Sequence, residues 1–324
     1  MSRYWERRWY GGEGGGWLGL PLRAAAAGFG AAVAVRSLFV RPRVVEGARV
    51  VSVGNLTVGG SGKTPVVIFL SQWAASAGRR VAVLSRGYGR TSRADVRFDA
   101  ANLLPASEIG DEPRLIAQRC PAVTVWVGRD RARLAVAARD AGADFLVLDD
   151  GMQHRRLARD VDLVVVDAAA GFGNGRLLPA GPLREPVTQL SRASLVWLRQ
   201  TAETAPGLEA QLGPTPRVVS RPVAHVVDGT IRGKRVVALA GLARPSAFTR
   251  TLVSLGAEVV AERYFPDHHT FTDAELDEVR SLGAVVVTTE KDAQRLKRGF
   301  PALVVRLDEE LVSGRELLAE QLRL

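Results

Sequence analysis

A short glycine-rich run carries the residues of this chain whose types and spacing best suit chemistry. It reads Thr57-Val58-Gly59-Gly60-Ser61-Gly62-Lys63-Thr64 and lies between the apolar stretches 50–53 and 66–70. That order predicts a buried strand, a glycine loop and a helix, with backbone N–H groups arranged around phosphate oxygens. Lys63 would reach the β- and γ-phosphates of a nucleotide, and the Thr64 hydroxyl would bind Mg²⁺. The helix N-terminus would add the positive end of its dipole.

The run departs from the usual phosphate-loop pattern at one position. Thr57 stands where that pattern has its first glycine, so the alternative is a glycine-rich turn with a chance Gly-Lys-Thr. The flanking strand and helix patterns favour the phosphate loop. Every residue from 57 to 64 is therefore a candidate nucleotide-binding position.

Phosphoryl transfer also needs an acid that anchors Mg²⁺, usually at the end of a buried strand. The apolar run 145–148 ends in Asp149 and Asp150. Adjacent carboxylates repel each other unless a cation neutralises them, so this pair predicts a metal site. Asp167, after the strand pattern 163–166, is the alternative, although a single acid there can serve as a helix cap.

Other polar loops also follow strand patterns and would face the same sheet edge, where open α/β sheets bind ligands. Residues 85–90 read Ser-Arg-Gly-Tyr-Gly-Arg, and the loops within 174–186 carry arginines that could hold a phosphate. Asp111 and Glu112 precede a helix pattern, where helix capping is the simple explanation. The histidine pair 268–269 has no cysteine partner and does not predict a zinc site.

Composition and the first 40 residues point to an anionic partner. The 324 residues carry a formal net charge of +10, and the single cysteine, Cys120, excludes an internal disulfide. Residues 17–40 are mostly apolar, but Arg23 and Arg36 interrupt them, and a bilayer span needs about 20 apolar residues. Flanking arginines and interleaved aromatic residues are typical of a helix lying in a membrane interface. A helix packed on the protein's own core is the alternative.

Short apolar runs alternate with helical patterns and predict an α/β fold. The expected architecture is that of the phosphate-loop NTPases, a mostly parallel sheet with helices on both faces, followed by a second, smaller α/β domain. Prolines interrupt the rhythm after residue 205. Four segments are predicted: a basic, apolar membrane-associated segment at 1–43, a phosphate-loop domain at 44–205, a linker with short extended pieces at 206–230 and a C-terminal α/β domain at 231–324.

Several longer motifs together resemble the tetraacyldisaccharide 4'-kinase family of lipid A biosynthesis. The motifs are GNLTVGGSGKTP (54–65), SRGYGR (85–90), GDEP (110–113), LDDGMQHRRLARD (148–160), GFGNGRLLPAGPLREP (171–186), FPDHH (265–269) and TEKD (289–292). They follow the family's order over most of the chain and are far more specific than the glycine loop alone.

The resemblance implies a reaction and its residues. ATP, with Mg²⁺, would donate its γ-phosphate to the 4'-hydroxyl of an acylated glucosamine disaccharide that carries a 1-phosphate. Asp111 matches the family's catalytic acid–base residue, and His268 from the second domain would pair with it. Lys63 would neutralise charge on the transferred phosphoryl group.

Further candidates for substrate contact come from the same motifs. Glu112, Gln153 and His154 stand in matching positions, and Arg184 is a candidate partner of the substrate's 1-phosphate. The resemblance also implies a monomer on the cytoplasmic face of the inner membrane, held peripherally or monotopically, with no nucleic-acid partner.

Two other classes of protein deserve comparison with this expectation. A membrane-associated regulatory nucleotide switch would share the phosphate loop, but Thr289-Glu290-Lys291-Asp292 lacks the spacing that guanine recognition requires. A nucleic-acid ATPase is suggested only by the positive charge, and no stacking platform is evident. ATP turnover that depends on an acylated disaccharide would separate the kinase from both.

Overall fold

A 12-stranded mixed sheet forms the centre of the molecule. The structure, a computed structural model, describes residues 3–11, 19–201, 203–242, 245–266 and 269–324. The strands are β1 Arg49–Gly54, β2 Val81–Ser85, β3 Val96–Phe98, β4 Thr124–Val127, β5 Phe145–Asp149, β6 Val161–Asp167, β7 Leu195–Arg199, β8 Arg217–Val227, β9 Arg235–Gly241, β10 Glu258–Phe265, β11 Val285–Thr289 and β12 Leu303–Ser313.

Helices surround this sheet. They are α1 Arg3–Tyr10, α2 Gly19–Leu38, α3 Lys63–Ser76, α4 Ala106–Ile109, α5 Asp111–Arg119, α6 Arg131–Asp140, α7 Leu208–Leu212, α8 Pro245–Ser254, α9 Asp273–Ser281, α10 Glu290–Ala293 and α11 Arg315–Leu322, with a 3₁₀ helix at Val187–Arg192. The apolar pattern of the sequence predicted the central strands and the longer helices. The mixed α/β fold is confirmed.

The strand order is β10-β9-β11-β12-β8-β7-β6-β1-β5-β2-β4-β3. β1 pairs in parallel with β5 and β6, so its carboxyl end and theirs meet at one sheet edge. The pairs β8–β12 and β3–β4 are antiparallel. The ends of β1 and β5 therefore bring the glycine loop and the Asp149-Asp150 turn together.

Helices cover both faces of the sheet around β1. Val51 and Val53 pack in one apolar cluster with Val66 and Leu70 of α3. Val50, which precedes them on the strand, packs in a different cluster that includes residues of α6. Because neighbouring side chains on a strand point to opposite faces, β1 is covered on both sides. Its continuous apolar sequence reflects this double burial.

The segment 206–230 differs from the short extended pieces that its prolines predict. It contains α7 and the 11-residue strand β8. β8 pairs in parallel with β7 and antiparallel with β12, so one sheet runs through both halves of the chain. The division into domains at 44–205 and 231–324 stays a prediction.

The N-terminal helices lie against the loop 171–186. The indole Nε1 of Trp9 donates to the Pro179 carbonyl at 3.3 Å, and the Asn174 amide donates to the Trp9 carbonyl at 2.8 Å. On α2, the apolar side chains of Leu20 and Val35 are exposed, as is Phe39 just after it. In the described ranges, every helix is too short or too polar to cross a bilayer.

Candidate active site

The glycine loop joins the end of β1 to the first residue of α3, Lys63. Gly59 and Gly62 adopt left-handed backbone with φ of 97° and 78°. A Cβ added at Gly62 would lie only 1.8 Å from Nη1 of Arg199, so glycine is required there for both φ and space. The loop is therefore a tight backbone turn pressed against a buried guanidinium.

Asn55 organises the interior of this loop. Its Nδ2 donates to the hydroxyls of Ser61 at 2.8 Å and Thr57 at 3.2 Å, and its Oδ1 accepts from Lys63 Nζ at 3.2 Å. Thr57, the departure from the usual pattern, thus supplies a hydroxyl to the network. The role of Asn55 escaped the sequence analysis, although it stands within the motif 54–65.

The acidic pair at the end of β5 lies beside Lys63. Asp150 Oδ1 is 3.6 Å from Lys63 Nζ, and Asp150 Oδ2 accepts from Arg184 Nη1 at 2.8 Å. Burial acts to raise the pKa of Asp150, but Lys63 and Arg184 outweigh it and hold that pKa below its usual value. Asp150 is therefore ionised and bridges two cations.

Asp149 lies in a different environment. Its Oδ2 accepts from Ser85 Oγ at 3.0 Å, whereas its buried Oδ1 has no hydrogen-bond partner among the described residues. Burial, and then the negative charges of Glu112 and Asp150, raise its pKa to about 7. This carboxyl group would be stabilised as an anion by any cation that reached Oδ1.

Arg131 fixes the turn that presents these acids. Its Nη1 donates to the carbonyl oxygens of Asp149 and Asp150, both at 3.0 Å, from the first residue of α6. Asp150 itself has a φ of 51°, which a non-glycine residue seldom adopts. The sequence showed only a helix pattern here, and nothing local in it indicated this contact.

The loop 171–186 closes over the glycine loop. The Val58 amide donates to the Pro182 carbonyl at 2.8 Å, and the Arg184 amide donates to the Leu56 carbonyl at 2.7 Å. Gln153 joins the same contact, since its Nε2 donates to the Asn55 carbonyl at 3.0 Å and its Oε1 accepts from Arg184 at 3.1 Å. The structure thus brings together Lys63, Asp150, Gln153 and Arg184.

His154, the next sequence-predicted residue, is half-buried beside this group. Burial lowers its pKa to about 4, with further lowering from Arg131. Its Nε2 has no hydrogen-bond partner within the described part of the chain. At neutral pH the imidazole is therefore uncharged and can act only as a hydrogen-bonding group.

Asp111 and Glu112 begin α5 and face the C-terminal half of the chain. Arg295 Nε lies 3.1 Å from Asp111 Oδ2, and Lys291 Nζ lies 3.3 Å from Glu112 Oε1. Asp111 is buried. Two motifs remote in sequence, GDEP and TEKD, therefore meet where α5 packs against α10, and the position of Arg295, three residues past TEKD, was not foreseen.

The histidine pair and Asp167 complete the set of candidates predicted from the sequence. His268 lies outside the described residues. Its neighbour His269 stacks on Phe265 with ring centroids 4.5 Å apart, and its Nε2 is 3.0 Å from Glu275 Oε2. Asp167 accepts hydrogen bonds from the Ala169 amide at 3.0 Å and the Thr201 hydroxyl at 2.6 Å, so it caps the turn that follows β6 and not a helix.

Comparison with known proteins decides the family. The sequence profile of the LpxK family, described as tetraacyldisaccharide-1-P 4'-kinase, matches residues 18–323. The chain belongs to the LpxK family. The resemblance drawn from the seven motifs is thereby confirmed.

Curated relatives and a solved LpxK structure agree with this assignment. A tetraacyldisaccharide 4'-kinase of Anaeromyxobacter dehalogenans strain 2CP-1 is 49% identical over 351 aligned positions, covering 97% of this chain and 92% of the relative. One of Rhodospirillum centenum is 48% identical over 261 positions, covering 76% and 74%. The crystal structure of Aquifex aeolicus LpxK in complex with ATP superposes with a TM-score of 0.74 at 28% identity, covering 94% of this chain and 97% of that one.

Proposed function

We propose that this LpxK-family protein is a tetraacyldisaccharide 4'-kinase, which transfers the γ-phosphate of ATP to the 4'-hydroxyl of an acylated disaccharide 1-phosphate. The observation that carries the proposal is the meeting of Lys63 with Asp150, 3.6 Å apart, at the shared edge of β1 and β5. A phosphate-binding cation and a metal-binding acid must be adjacent for phosphoryl transfer. The names of the curated relatives supply the acceptor.

The loop 57–64 is proposed to bind the triphosphate. Its two left-handed glycines curl the backbone, and α3 begins directly at Lys63, so its N-terminal amides point toward the loop. The Lys63 ammonium would contact the β- and γ-phosphates and neutralise charge that develops during transfer. The ATP in the Aquifex aeolicus LpxK crystal supports a nucleotide site in this fold.

Thr64, Asp149 and Asp150 are proposed to hold Mg²⁺. The unpartnered Oδ1 of Asp149, buried beside the ionised Asp150, suits an oxygen-preferring cation. No group of three or more His, Cys, Asp or Glu side chains with metal-site geometry occurs among the residues described. Mg²⁺ takes one or two carboxylates and completes its shell with phosphate oxygens and water. The ion would neutralise phosphate charge.

Asp111 is proposed to accept the proton of the 4'-hydroxyl, with His268 as its partner. The Arg295 guanidinium that pairs with Asp111 also donates from Nη1 to the His269 carbonyl at 2.8 Å. His269 adjoins His268 in the chain, so this contact supports the pairing. A carboxylate within hydrogen-bond reach can take the hydroxyl proton as the phosphoryl group arrives.

Glu112, Gln153, His154 and Arg184 are proposed to line the acceptor side. Arg184 is held by Asp150 and Gln153 at the mouth of the glycine loop, where a guanidinium can bind a phosphate group bidentately. The uncharged His154 would contribute a hydrogen bond to the sugar.

The segment 1–43 is proposed to lie on the cytoplasmic face of the inner membrane. Leu20 and Phe39 are 78% and 81% exposed and supply apolar surface that a membrane interface would bury. Arginines flank them, and anionic lipid attracts such residues. A monomer with no nucleic-acid partner is proposed to act there on its lipid substrate.

A transfer assay tests the function directly. Purified full-length protein is incubated with ATP labelled on its γ-phosphate, Mg²⁺ and a tetraacylated disaccharide 1-phosphate, and the lipids are separated by thin-layer chromatography. The expected result is a labelled, more polar lipid, which Lys63→Ala does not produce. ATP hydrolysis without labelled lipid would instead favour the nucleotide switch.

A further inference from the structure

We infer that Arg199, at the end of β7, is a positioning residue that sets the backbone of the glycine loop, and that Glu309 of β12 holds it in place. This inference rests on the proposed function, because it concerns the same nucleotide site. Arg199 Nη1 donates to the Ser61 carbonyl at 3.3 Å. Its Nε donates to Glu309 Oε1 at 2.8 Å, and its Nη2 lies 2.6 Å from the same oxygen.

The contact with the loop is close as well as polar. A Cβ at Gly62 would overlap the guanidinium, with 1.8 Å to Nη1 and 2.2 Å to Cζ. The loop backbone therefore rests directly on Arg199. Two independent observations, a hydrogen bond to Ser61 and the absence of room at Gly62, place Arg199 beneath the turn.

Peptide geometry gives this contact a consequence for phosphate binding. In a planar trans peptide the C=O and the following N–H point in opposite directions. Because the Ser61 carbonyl points toward Arg199, the Gly62 N–H points away from it. That is the orientation required of an amide that meets a phosphate oxygen on the side of the loop opposite Arg199.

A chain of buried hydrogen bonds anchors the guanidinium from the other side. The second oxygen of Glu309, Oε2, accepts from Ser220 Oγ at 2.5 Å, and Trp197 Nε1 donates to Ser220 Oγ at 2.7 Å. The side chains of Arg199 and Glu309 are 6% and 0% exposed. A buried ion pair is a poor source of stability by itself, because desolvation opposes the attraction. The ion pair instead fixes the orientation of the Arg199 guanidinium, so that Nη1 donates to the glycine loop.

A neighbouring ion pair offers a matched control. Arg221 of β8 and Glu310, which follows Glu309 on β12, pair at 2.9 Å with side chains that are 60% and 52% exposed. This pair has the same chemistry and lies next to Glu309 in sequence. Within the described part of the chain, the Arg221 side chain donates only to Glu310, so removing the pair leaves the glycine-loop contacts intact.

The experiment compares two kinds of variant at each pair in the full-length protein. Arg199→Lys keeps the cation but cannot reach both Ser61 and Glu309, and the double variant Arg199→Met with Glu309→Leu removes both buried charges, a change that proteins often tolerate. Arg221→Lys and the double variant Arg221→Met with Glu310→Leu are the controls. The readouts are ATP affinity by calorimetry without lipid, KM for ATP and for lipid, hydrogen exchange of amides 57–64, and Tm.

The expected result is a rise of about tenfold in the Kd and KM for ATP in both Arg199 variants. A rise of that size corresponds to the loss of one charge-assisted hydrogen bond. KM for lipid stays unchanged, amide exchange at 57–64 becomes faster, and the controls stay within about twofold of wild type. Arg199 variants that bind ATP as tightly as the controls would overturn the inference. If the double variant does not fold, the ATP affinity of Arg199→Lys, compared with that of Arg221→Lys, tests the inference. A wild-type protein that binds ATP but labels no lipid would contradict the proposed function and leave the inference about Arg199 open to test. Calorimetry would still measure the effect of the Arg199 variants on ATP affinity.

Discussion

Asp111 and Arg295 form a buried ion pair that joins the two halves of the chain, with 3.1 Å between Asp111 Oδ2 and Arg295 Nε. The same guanidinium reaches Asp292 Oδ1 at 2.9 Å and the His269 carbonyl at 2.8 Å. The acid proposed to accept the substrate proton is therefore oriented by a residue from the C-terminal half. Activity should depend on both halves even where nucleotide binding does not.

Replacing Asp111 should separate chemistry from nucleotide binding. Asp111→Asn removes the proposed proton acceptor, so kcat should fall by roughly 10²–10⁴-fold, with ATP affinity unchanged. Initial rates at saturating substrates and calorimetry with ATP give the two quantities. Glu108→Gln, an exposed acid on the preceding helix α4, is the control and should keep wild-type kcat. A normal rate for Asp111→Asn would remove the residue from this role.

Replacing Arg295 should lower kcat through Asp111. Arg295→Met removes the cation that pairs with Asp111 and donates to the His269 carbonyl, and a misplaced acid should lower kcat by about tenfold or more. Arg298→Met, an exposed arginine three residues later, should have no effect. Equal rates in the two variants would show that Arg295 does not position the acid. Restoration of part of the rate by Arg295→Lys would support a charge-dependent role.

Asp149 should make the metal-free protein less stable as pH rises. Its pKa is raised to about 7 in the folded protein, against about 4 in an unfolded chain, so the folded state binds the proton more tightly. Stability then falls between about pH 4 and pH 7 and stays lower above that range. Asp149→Asn removes this loss and the metal ligand together.

Thermal unfolding in a chelating buffer checks this expectation. The Tm of Asp149→Asn should exceed that of the wild type by more at pH 8 than at pH 5, while labelled-lipid formation is lost. Asp130→Asn, which removes a helix cap that accepts from the amides of Ala132 and Arg133, should shift Tm by a similar amount at both pH values. A pH-independent difference for Asp149→Asn would show that its carboxyl group titrates normally.

The exposed apolar residues of the N-terminal segment should control membrane binding. The double variant Leu20→Glu with Phe39→Glu should lower partition onto anionic vesicles by at least about tenfold, since each large apolar side chain contributes roughly 1.5–3 kcal/mol when buried. Val253→Glu, at an exposed position on α8, is the control. ATP affinity should stay unchanged in all three proteins. Vesicle sedimentation equal to wild type would place the membrane contact elsewhere.

Local sequence predicted those parts of the fold that are buried on both faces. The apolar run 145–148 is β5, Phe145–Asp149, because double burial leaves an uninterrupted apolar sequence. β8 was missed because prolines precede it and Pro222 lies within it. Pro222 is opposite Glu309 in the β8–β12 pairing, and only the tertiary sheet reveals that a proline is tolerated there.

In the candidate site, too, some residues could be predicted from local sequence and others could not. Lys63 and Asp150 were predicted to bind phosphate and Mg²⁺, and they meet because the parallel strands that precede them end at one sheet edge. Asn55, Arg199 and Arg295 were not, because each acts through contacts that depend on the folded path of the chain. Nothing in the residues around Arg199 indicates that its partner is Glu309.

A crystal structure with Mg²⁺ and a non-hydrolysable ATP analogue tests the central claim most directly. The account predicts that the β- and γ-phosphates accept hydrogen bonds from the amides of residues 59–64 and contact Lys63 Nζ, with Mg²⁺ beside Thr64 and the Asp149-Asp150 pair. A triphosphate bound at another place on the protein, with those amides in contact only with solvent, would contradict it.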